Sequence, residues 1–293
     1  MKSMSRKIVL QLVVACLLAV LGIRYGYGRQ SQALQDYMRV GGPLTVEKIR
    51  DDMYVIERAG GNSTLLITGD GAILVDDKSA EDHDHLVEKI KSVTDQPVKY
   101  IFNTHSHGNH AGGNARMLPG PQIIAQAKTR ELLAKANQPG LPNIVFDREC
   151  DVFLGGKEVR AFYFGPGHTD GDTFIYFPAD RVIAAGDMVD VGEEFPPLID
   201  YPVGGTAKGW VKALDEALKL DFDTVVPGLG PISKREAFVN FAKDFKASQD
   251  RVREMLAQGK SKDDISKMLA TDYHWDKLHI TRSLDGLIAE MKP

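Results

Sequence analysis

Apolar residues occur along the chain in short runs separated by Gly-, Asn- and Asp-rich turns, a pattern typical of strands. In the first half, the runs predict strands at Leu44–Glu57, Ser63–Thr68, Ala72–Val75, Val98–Phe102 and Gln122–Ala125. In the second half, they predict strands at Val152–Leu154, Glu158–Phe164, Thr173–Phe177, Val182–Ala185 and Thr224–Val226. Helical spacing predicts helices at His83–Val93, Lys128–Asn137, Thr206–Leu220 and Ser233–Leu256, and a short one capped by Ser261 and Asp264. This order of elements predicts an α+β domain.

The N-terminal segment differs from the rest of the chain. Lys2, Arg6 and Lys7 precede an apolar run over residues 8–23, the pattern of a secretory signal or a membrane anchor. We therefore predict a signal peptide or anchor at 1–28, a linker at 29–43 and one folded domain at 44–293. The protein is expected to be exported, to the periplasm or outside the cell. Cleavage and retention by residues 8–23 are both open, and membrane association is expected through this segment alone.

Composition narrows the classes of partner. The chain has 293 residues, with 36 Lys and Arg against 40 Asp and Glu, a formal net charge of −4. A nucleic-acid partner is not expected from this balance, and a small-molecule substrate is. Cys16 lies in the N-terminal run and Cys150 stands alone, so a processed chain has no internal disulfide. The oligomeric state is not encoded in any pattern of the sequence.

A histidine-rich loop is the strongest chemical signal. His105, His107 and His110 fall within six residues, directly after the strand predicted at Val98–Phe102. His168 and Asp187 follow in two further Gly-flanked turns, each after an apolar segment. Imidazole nitrogens and a carboxylate oxygen are suitable zinc ligands. The sequence therefore predicts a metal site made of His105, His107, His168 and Asp187.

These motifs resemble those of the metallo-β-lactamase superfamily of metal-dependent hydrolases. The family pattern is Thr-His-x-His-x-Asp-His, a Gly-His turn, Gly-Asp and Pro-Gly-His-Gly, and it is matched in order over roughly residues 44 to 260. The resemblance implies a four-layer αβ/βα sandwich and two adjacent metals. The first metal carries over to His105, His107 and His168. The second carries over to Asn109, His110, Asp187 and Leu229.

Two departures from this pattern concern the second metal. Asn109 stands where the family has aspartate, and Leu229 stands where it has histidine. An amide oxygen is a poorer ligand than a carboxylate, and leucine offers none. We therefore predict one zinc ion, with His110 and Asp187 as the remaining ligands of an impaired second site. Asp76 and Asp77, which end a predicted strand, are candidates for orienting a metal-binding histidine.

The resulting functional hypothesis is an exported zinc-dependent hydrolase. One zinc would activate water against an ester, thioester or lactam carbonyl. His110 or Asp187 would act as the base and Asn109 would hydrogen-bond the water. The alternative is a pseudoenzyme, a metal- or ligand-binding protein that has lost turnover through Asn109 and Leu229. A third class, a lipid-associated binding module, rests on the N-terminal run alone.

Three further interpretations concern residues outside these motifs. The Pro- and Gly-rich stretch from Gly192 to Gly205 is expected to be an irregular pocket wall, with Phe195 and Tyr201 as candidate substrate contacts. His83 and His85 are expected to be exposed surface residues. For His274 and His279 we expect structural or exposed positions.

Overall fold

The computed structural model describes residues 43–58 and 60–292. The predicted signal or anchor at 1–28 and nearly all of the predicted linker at 29–43 lie outside this range. Among the described residues, none of the helices is both long and apolar enough to cross a bilayer.

Within the described residues, thirteen strands form two sheets. They are β1 Thr45–Arg50, β2 Met53–Glu57, β3 Ser63–Thr68, β4 Gly71–Val75, β5 Val98–Asn103, β6 Gln122–Gln126, β7 Ile144–Phe146, β8 Glu149–Leu154, β9 Lys157–Phe162, β10 Phe174–Phe177, β11 Val182–Gly186, β12 Thr224–Pro227 and β13 Ser233–Lys234. The first sheet has seven strands in the order β1 to β7, and the second has six in the order β13-β12-β11-β10-β9-β8. Both are mixed, because β4, β5, β6 and β7 run parallel in one and β11 and β12 in the other.

Helices cover the outer faces of both sheets. They are α1 His83–Lys91, α2 Gly108–Ala111, α3 Asn114–Met117, α4 Ala127–Lys135, α5 Ala207–Ala217, α6 Arg235–Ala257, α7 Lys262–Asp272 and α8 Lys277–Met291. A single 3₁₀ turn at Tyr201–Val203 interrupts the stretch from Gly192 to Gly205. The stretch was expected to be irregular throughout, and the structure differs from that expectation by this one turn.

Side-chain alternation places the apolar core on both faces of each sheet. In β3, Leu66 faces the layer between the sheets, where Phe102 and Ile175 also lie. Leu65 faces the other way and packs with Leu86 of α1. The second sheet has the corresponding outer layer, in which its side chains pack against α5 to α8. The arrangement is the predicted four-layer αβ/βα sandwich.

Several elements differ from the sequence prediction, among them β7, α2 and α3, which were not predicted, and β13, which lies in a predicted helix. The run Leu44–Glu57 is a hairpin, because the chain turns at Asp51 and Asp52 and pairs Arg50 with Met53. The C-terminal tail, for which no helix was predicted, forms α8. Asp276 begins this helix by accepting a hydrogen bond from the backbone N–H of His279, a capping arrangement that the sequence pattern allowed.

The functional residues lie where parallel strands end. Asp76 follows β4, the histidine loop follows β5, Asp187 follows β11 and Gly228 follows β12. Loops at the carboxyl ends of adjacent parallel strands meet at one edge of a sheet, so their side chains can converge.

Candidate metal centre

Four predicted ligands converge at the edge between the sheets. One ligand atom from each of His105, His107, His168 and Asp187 lies within 4.8 Å of the others, and this group could hold a metal ion. His107 Nδ1 is 3.2 Å from His105 Nε2 and 2.9 Å from His168 Nε2. Asp187 Oδ2 is 3.6 Å from the Nε2 atoms of His105 and His168.

The opposite nitrogen of each imidazole ring has a fixed hydrogen-bond partner. His105 Nδ1 lies 3.1 Å from Thr104 Oγ1, whose own proton goes to Asp76. His168 Nδ1 donates to the Leu198 carbonyl at 2.6 Å. His107 Nε2 lies 3.0 Å from Asp200 Oδ2. Each ring therefore keeps its proton on the outer nitrogen, and three lone pairs point at one location, as metal-binding histidines require.

The protonation of the buried rings fits this role. Burial holds the pKa of His105 well below its usual value, and the neighbouring His110 lowers it further. Burial and His107 lower the pKa of His168 to about 4. Neutral imidazole is the form that binds a metal. Asp187 supplies the charged ligand, because the neighbouring His110 and His105 outweigh its burial and lower its pKa.

His110 lies outside this group of four, between two carboxylates. Its Nδ1 is 2.7 Å from Asp76 Oδ2, and its Nε2 is 2.9 Å from Asp187 Oδ1. Burial lowers its pKa, but Asp187 and Asp76 more than offset this and raise it to about 10. In this arrangement the ring is an imidazolium cation at neutral pH and has no lone pair for a metal.

The two departures from the family pattern both lie at buried positions. The side-chain amide of Asn109 donates to the carbonyl of Gly60, a bond that an aspartate could not make. Leu229 is buried, and its N–H donates to Asp190 Oδ1 at 2.9 Å. Gly61 packs against the His110 ring so closely that a Cβ there would lie 2.9 Å from Cε1. Backbone thus occupies one side of His110.

The other histidines lie away from this centre. His83 is half-buried and His85 exposed, both on α1, and His274 is exposed. His279 is buried in α8, with its Nδ1 2.8 Å from Asp276. None of them belongs to the metal-binding group found among the described residues.

Sequence reasoning missed the residues that support the ligands from outside. Asp200 is only 1% exposed and holds both His107 and Arg282, whose guanidinium is 2.6 Å from Asp200 Oδ1. Asp172 accepts hydrogen bonds from the Thr169 hydroxyl and from the backbone N–H of Gly167 and Thr169, and so braces the His168 turn. An aspartate three residues after Gly-His-Thr was a usable signal for Asp172. No local pattern marks Asp200 or Arg282.

A cleft of about 310 Å³ opens beside the centre. Its wall includes Gly61, next to His110, and Gly228, where a Cβ would lie 2.1 Å from Asp187 Oδ1. Phe195 and Leu229 also line it, and Phe195 stays a candidate substrate contact. Tyr201 instead packs against Gly286 of α8 and donates its hydroxyl to Glu290 at 2.8 Å, a structural position.

The two mixed sheets with flanking helices and the His/Asp group at their edge are arranged as in proteins of the metallo-β-lactamase type. The sequence profile of the metallo-beta-lactamase superfamily matches residues 56–229, more than half of the chain. This chain belongs to that superfamily, with a His/Asp group that could hold a metal ion.

Similar proteins fall into two activity classes by name. The 2,4-dinitroanisole O-demethylase subunit alpha of Nocardioides sp. (strain JS1661) is 29% identical over 208 residues, 68% of this chain and 61% of that protein. A metallo-beta-lactamase type 2 of Elizabethkingia meningoseptica is 29% identical over 166 residues, 51% of this chain and 64% of that protein. The match thus spans less than two thirds of either relative.

Solved structures agree on the fold. A metallo-beta-lactamase from Pontibacter korlensis aligns with a TM-score of 0.62 and 22% identity, covering 69% of this chain and 99% of that one. The DIM-1 metallo-beta-lactamase aligns with a TM-score of 0.61 and 19% identity, covering 71% of this chain and 99% of that one.

Proposed function

We propose that this protein is a one-zinc hydrolase that directs water at the carbonyl of an ester, thioester or lactam. The observation that carries the proposal is the convergence of three imidazole lone pairs and one carboxylate on a single point, with the outer nitrogen of every ring already engaged. Three histidines with a fourth oxygen ligand are a suitable donor set for zinc.

A zinc ion held by this group lowers the pKa of a bound water and polarises a carbonyl. The residues of the chain hold the metal and orient the reacting groups. Asp187 is the one carboxylate of the group, so it is the candidate to receive a proton from the attacking water. The His110 imidazolium, 2.9 Å from Asp187 Oδ1, stabilises the charged carboxylate. Of the candidate bases, Asp187 is therefore favoured over His110.

Three contacts support a single metal. Asn109 is committed to Gly60, His110 is held as a cation between Asp76 and Asp187, and Leu229 supplies no ligand atom. Of the four second-site positions, Asp187 alone then remains as a donor, fewer than zinc sites ordinarily use.

The neighbouring cleft supports a small substrate with an apolar part. Leu229, Phe195 and Pro231 contribute apolar surface, while Arg58 and Glu194 contribute charge. A volume of about 310 Å³ is at the lower end of the range for small-molecule sites. Export of the enzyme is part of the proposal, and its support is the basic and apolar pattern of residues 1–28.

The test combines metal analysis with turnover. Full-length protein is loaded with zinc, dialysed and assayed for metal content, and then for hydrolysis of a chromogenic cephalosporin, p-nitrophenyl acetate and an acyl thioester. We expect about one zinc per chain and zinc-dependent turnover of at least one substrate. The His168→Ala variant should lose both, and His85→Ala, which removes an exposed histidine, should lose neither. Two tightly bound zinc ions, or turnover that survives in His168→Ala, would contradict the proposal.

The pseudoenzyme is a second candidate, and two pKa shifts favour it. A base works best when its pKa is near the working pH. The neighbouring His110 and His105 outweigh burial and hold the pKa of Asp187 below its usual value, and His110 is already protonated. Full zinc occupancy without turnover of any of the three substrates would support this alternative.

A further inference from the structure

A second, larger cavity lies on the other side of the segment that carries Phe195. It has a volume of about 570 Å³, within the range of small-molecule sites. Its walls are the segment 190–197, α6 and the turn at residues 272–275. None of the four residues that could hold a metal lines it.

Aromatic rings dominate this cavity. The five that line it are Phe195, Phe241, Phe245, Tyr273 and Trp275. Trp275 and Phe245 are buried, whereas the other three are half-buried and present part of their surface to the cavity. The face of an aromatic ring carries negative electrostatic potential and attracts cations.

The charged residues of the lining are acids. Glu193, Asp244 and Asp272 are exposed, and neither Glu193 nor Asp244 forms an ion pair with a described residue. The lining contains no lysine or arginine, and its single imidazole is that of the exposed His274. Arg251, the cation that acts on Tyr273, is itself paired with Glu254 at 2.6 Å.

We propose that this cavity binds a small organic cation, of the quaternary or alkylated ammonium class, between the aromatic rings and the acidic rim. The rings match the apolar, weakly hydrated surface of such a cation, and the carboxylates compensate its charge. A carboxylate or phosphate ligand would face the rim acids without any lysine or arginine to pair with it.

The cavity and the proposed reaction cleft lie on either side of one chain segment. Phe195 lines both, and Asp190, which lines the cavity, accepts the N–H of Leu229 in the wall of the cleft. A ligand in the cavity therefore contacts the segment that forms one wall of the reaction cleft. Binding of the cation itself does not depend on the metal or on hydrolysis.

Binding is tested with choline and its uncharged isostere 3,3-dimethylbutan-1-ol, by chemical-shift titration of full-length ¹⁵N-labelled protein. We expect saturable shifts around Tyr273 and Trp275 with choline, and binding of the isostere weaker by about 2- to 30-fold, the range of a cation–π contribution. The titration is repeated on metal-free protein, where the affinity should be unchanged. Equal affinity for the isostere, or no saturable shift with choline, would overturn the proposal.

Substitutions in the lining test whether choline binds in this cavity and not elsewhere on the protein. Tyr273→Leu and the double change Asp244→Asn with Asp272→Asn should each weaken choline binding by about 2- to 30-fold. The double change affects exposed side chains only, so it tests the proposal even if Tyr273→Leu folds poorly. The matched controls, Phe153→Leu and Asp215→Asn, alter an exposed aromatic and an exposed acid outside the cavity and should have no effect. Equal effects of the control and cavity variants, or loss of binding on metal removal, would refute the assignment.

Discussion

Replacing Arg282 is expected to weaken metal binding, although this residue is not one of the four ligands. Arg282 lies on α8, beyond the region matched by the superfamily profile. Its guanidinium is 2.6 Å from Asp200 Oδ1, and Asp200 Oδ2 is 3.0 Å from His107 Nε2. Arg282→Met therefore leaves Asp200, which is 1% exposed, without its positively charged partner and with the His107 ring as its remaining side-chain hydrogen-bond partner.

The magnitude follows from the position of each residue. Asp200 acts directly on a ligand, and loss of such a partner typically costs 10- to 100-fold in metal affinity, about 1.4–2.8 kcal/mol. Arg282 acts through Asp200, so we expect a smaller loss for Arg282→Met, about 3- to 10-fold, or about 0.7–1.4 kcal/mol. Arg282→Lys should recover part of this loss because it keeps the charge but not the geometry of the guanidinium.

Zinc affinity is measured by competition with a chromophoric chelator on Asp200→Asn, Arg282→Met and the double variant. Because both changes act through one path, the effect of Arg282→Met should shrink in the Asp200→Asn background. Lys277→Met, which removes an exposed cation from the same helix, is the matched control and should bind zinc normally. Urea unfolding of the metal-free variants separates a change of site from a loss of fold.

Two results would refute this reasoning. One is normal zinc affinity in Arg282→Met. The other is an affinity loss that adds fully to that of Asp200→Asn, because independent effects mean that Arg282 does not act through Asp200.

Three more predictions concern the neighbourhood of His110. In metal-free protein, His110 should remain protonated to about pH 10, because Asp187 and Asp76 outweigh its burial. The pKa of His110 in the folded protein is raised above the unfolded value of 6.5. The contribution of the protonated ring to folding stability is therefore complete below pH 6.5 and is lost as the pH rises through about 10. A ¹⁵N-detected titration midpoint near 6.5 would contradict this. Asn109→Asp alone should lower the free energy of unfolding, measured in urea, by about 1–3 kcal/mol, because the Gly60 carbonyl loses its donor. Asn109→Asp combined with Leu229→His should raise zinc-dependent turnover. No gain in the double variant would count against loss of ligands as the cause of weak activity. Lys78→Met should lower the unfolding free energy by about 2–4 kcal/mol, because the buried Lys78 ammonium donates to the carbonyls of Ile56, Arg58 and Gly61. An unchanged urea midpoint would show that these bonds make no net contribution to folding stability.

Much of the fold was predictable because its determinants are local. Alternation in β3 places Leu65 and Leu66 on opposite faces of the sheet whatever the rest of the chain does. The strands β4 and β5, which precede Asp76 and Thr104, were recognisable as short apolar runs followed by polar turns. The turn at Asp51 and Asp52 was missed because the apolar pattern continues on both sides of it.

The candidate ligands were also predictable, since each lies in a short motif with a Gly-flanked turn. The motifs alone could not show that His105 and His168, 63 positions apart, approach each other. They also could not show that the ring of His110 faces two carboxylates. The charge of the His110 ring depends on its distances from the carboxylates of Asp76 and Asp187, which follow strands of different sheets.

The sequence by itself therefore determined most of the strands and helices and the identity of the candidate ligands, because hydrophobic alternation and turn chemistry act between near neighbours. Only the tertiary structure decided which nitrogen of each ring is free, that Arg282 of α8 holds Asp200 against His107, and that an aromatic cavity lies behind Phe195. These features depend on hydrogen bonds and packing between residues far apart in the chain. Such contacts leave no periodic trace in the order of the amino acids.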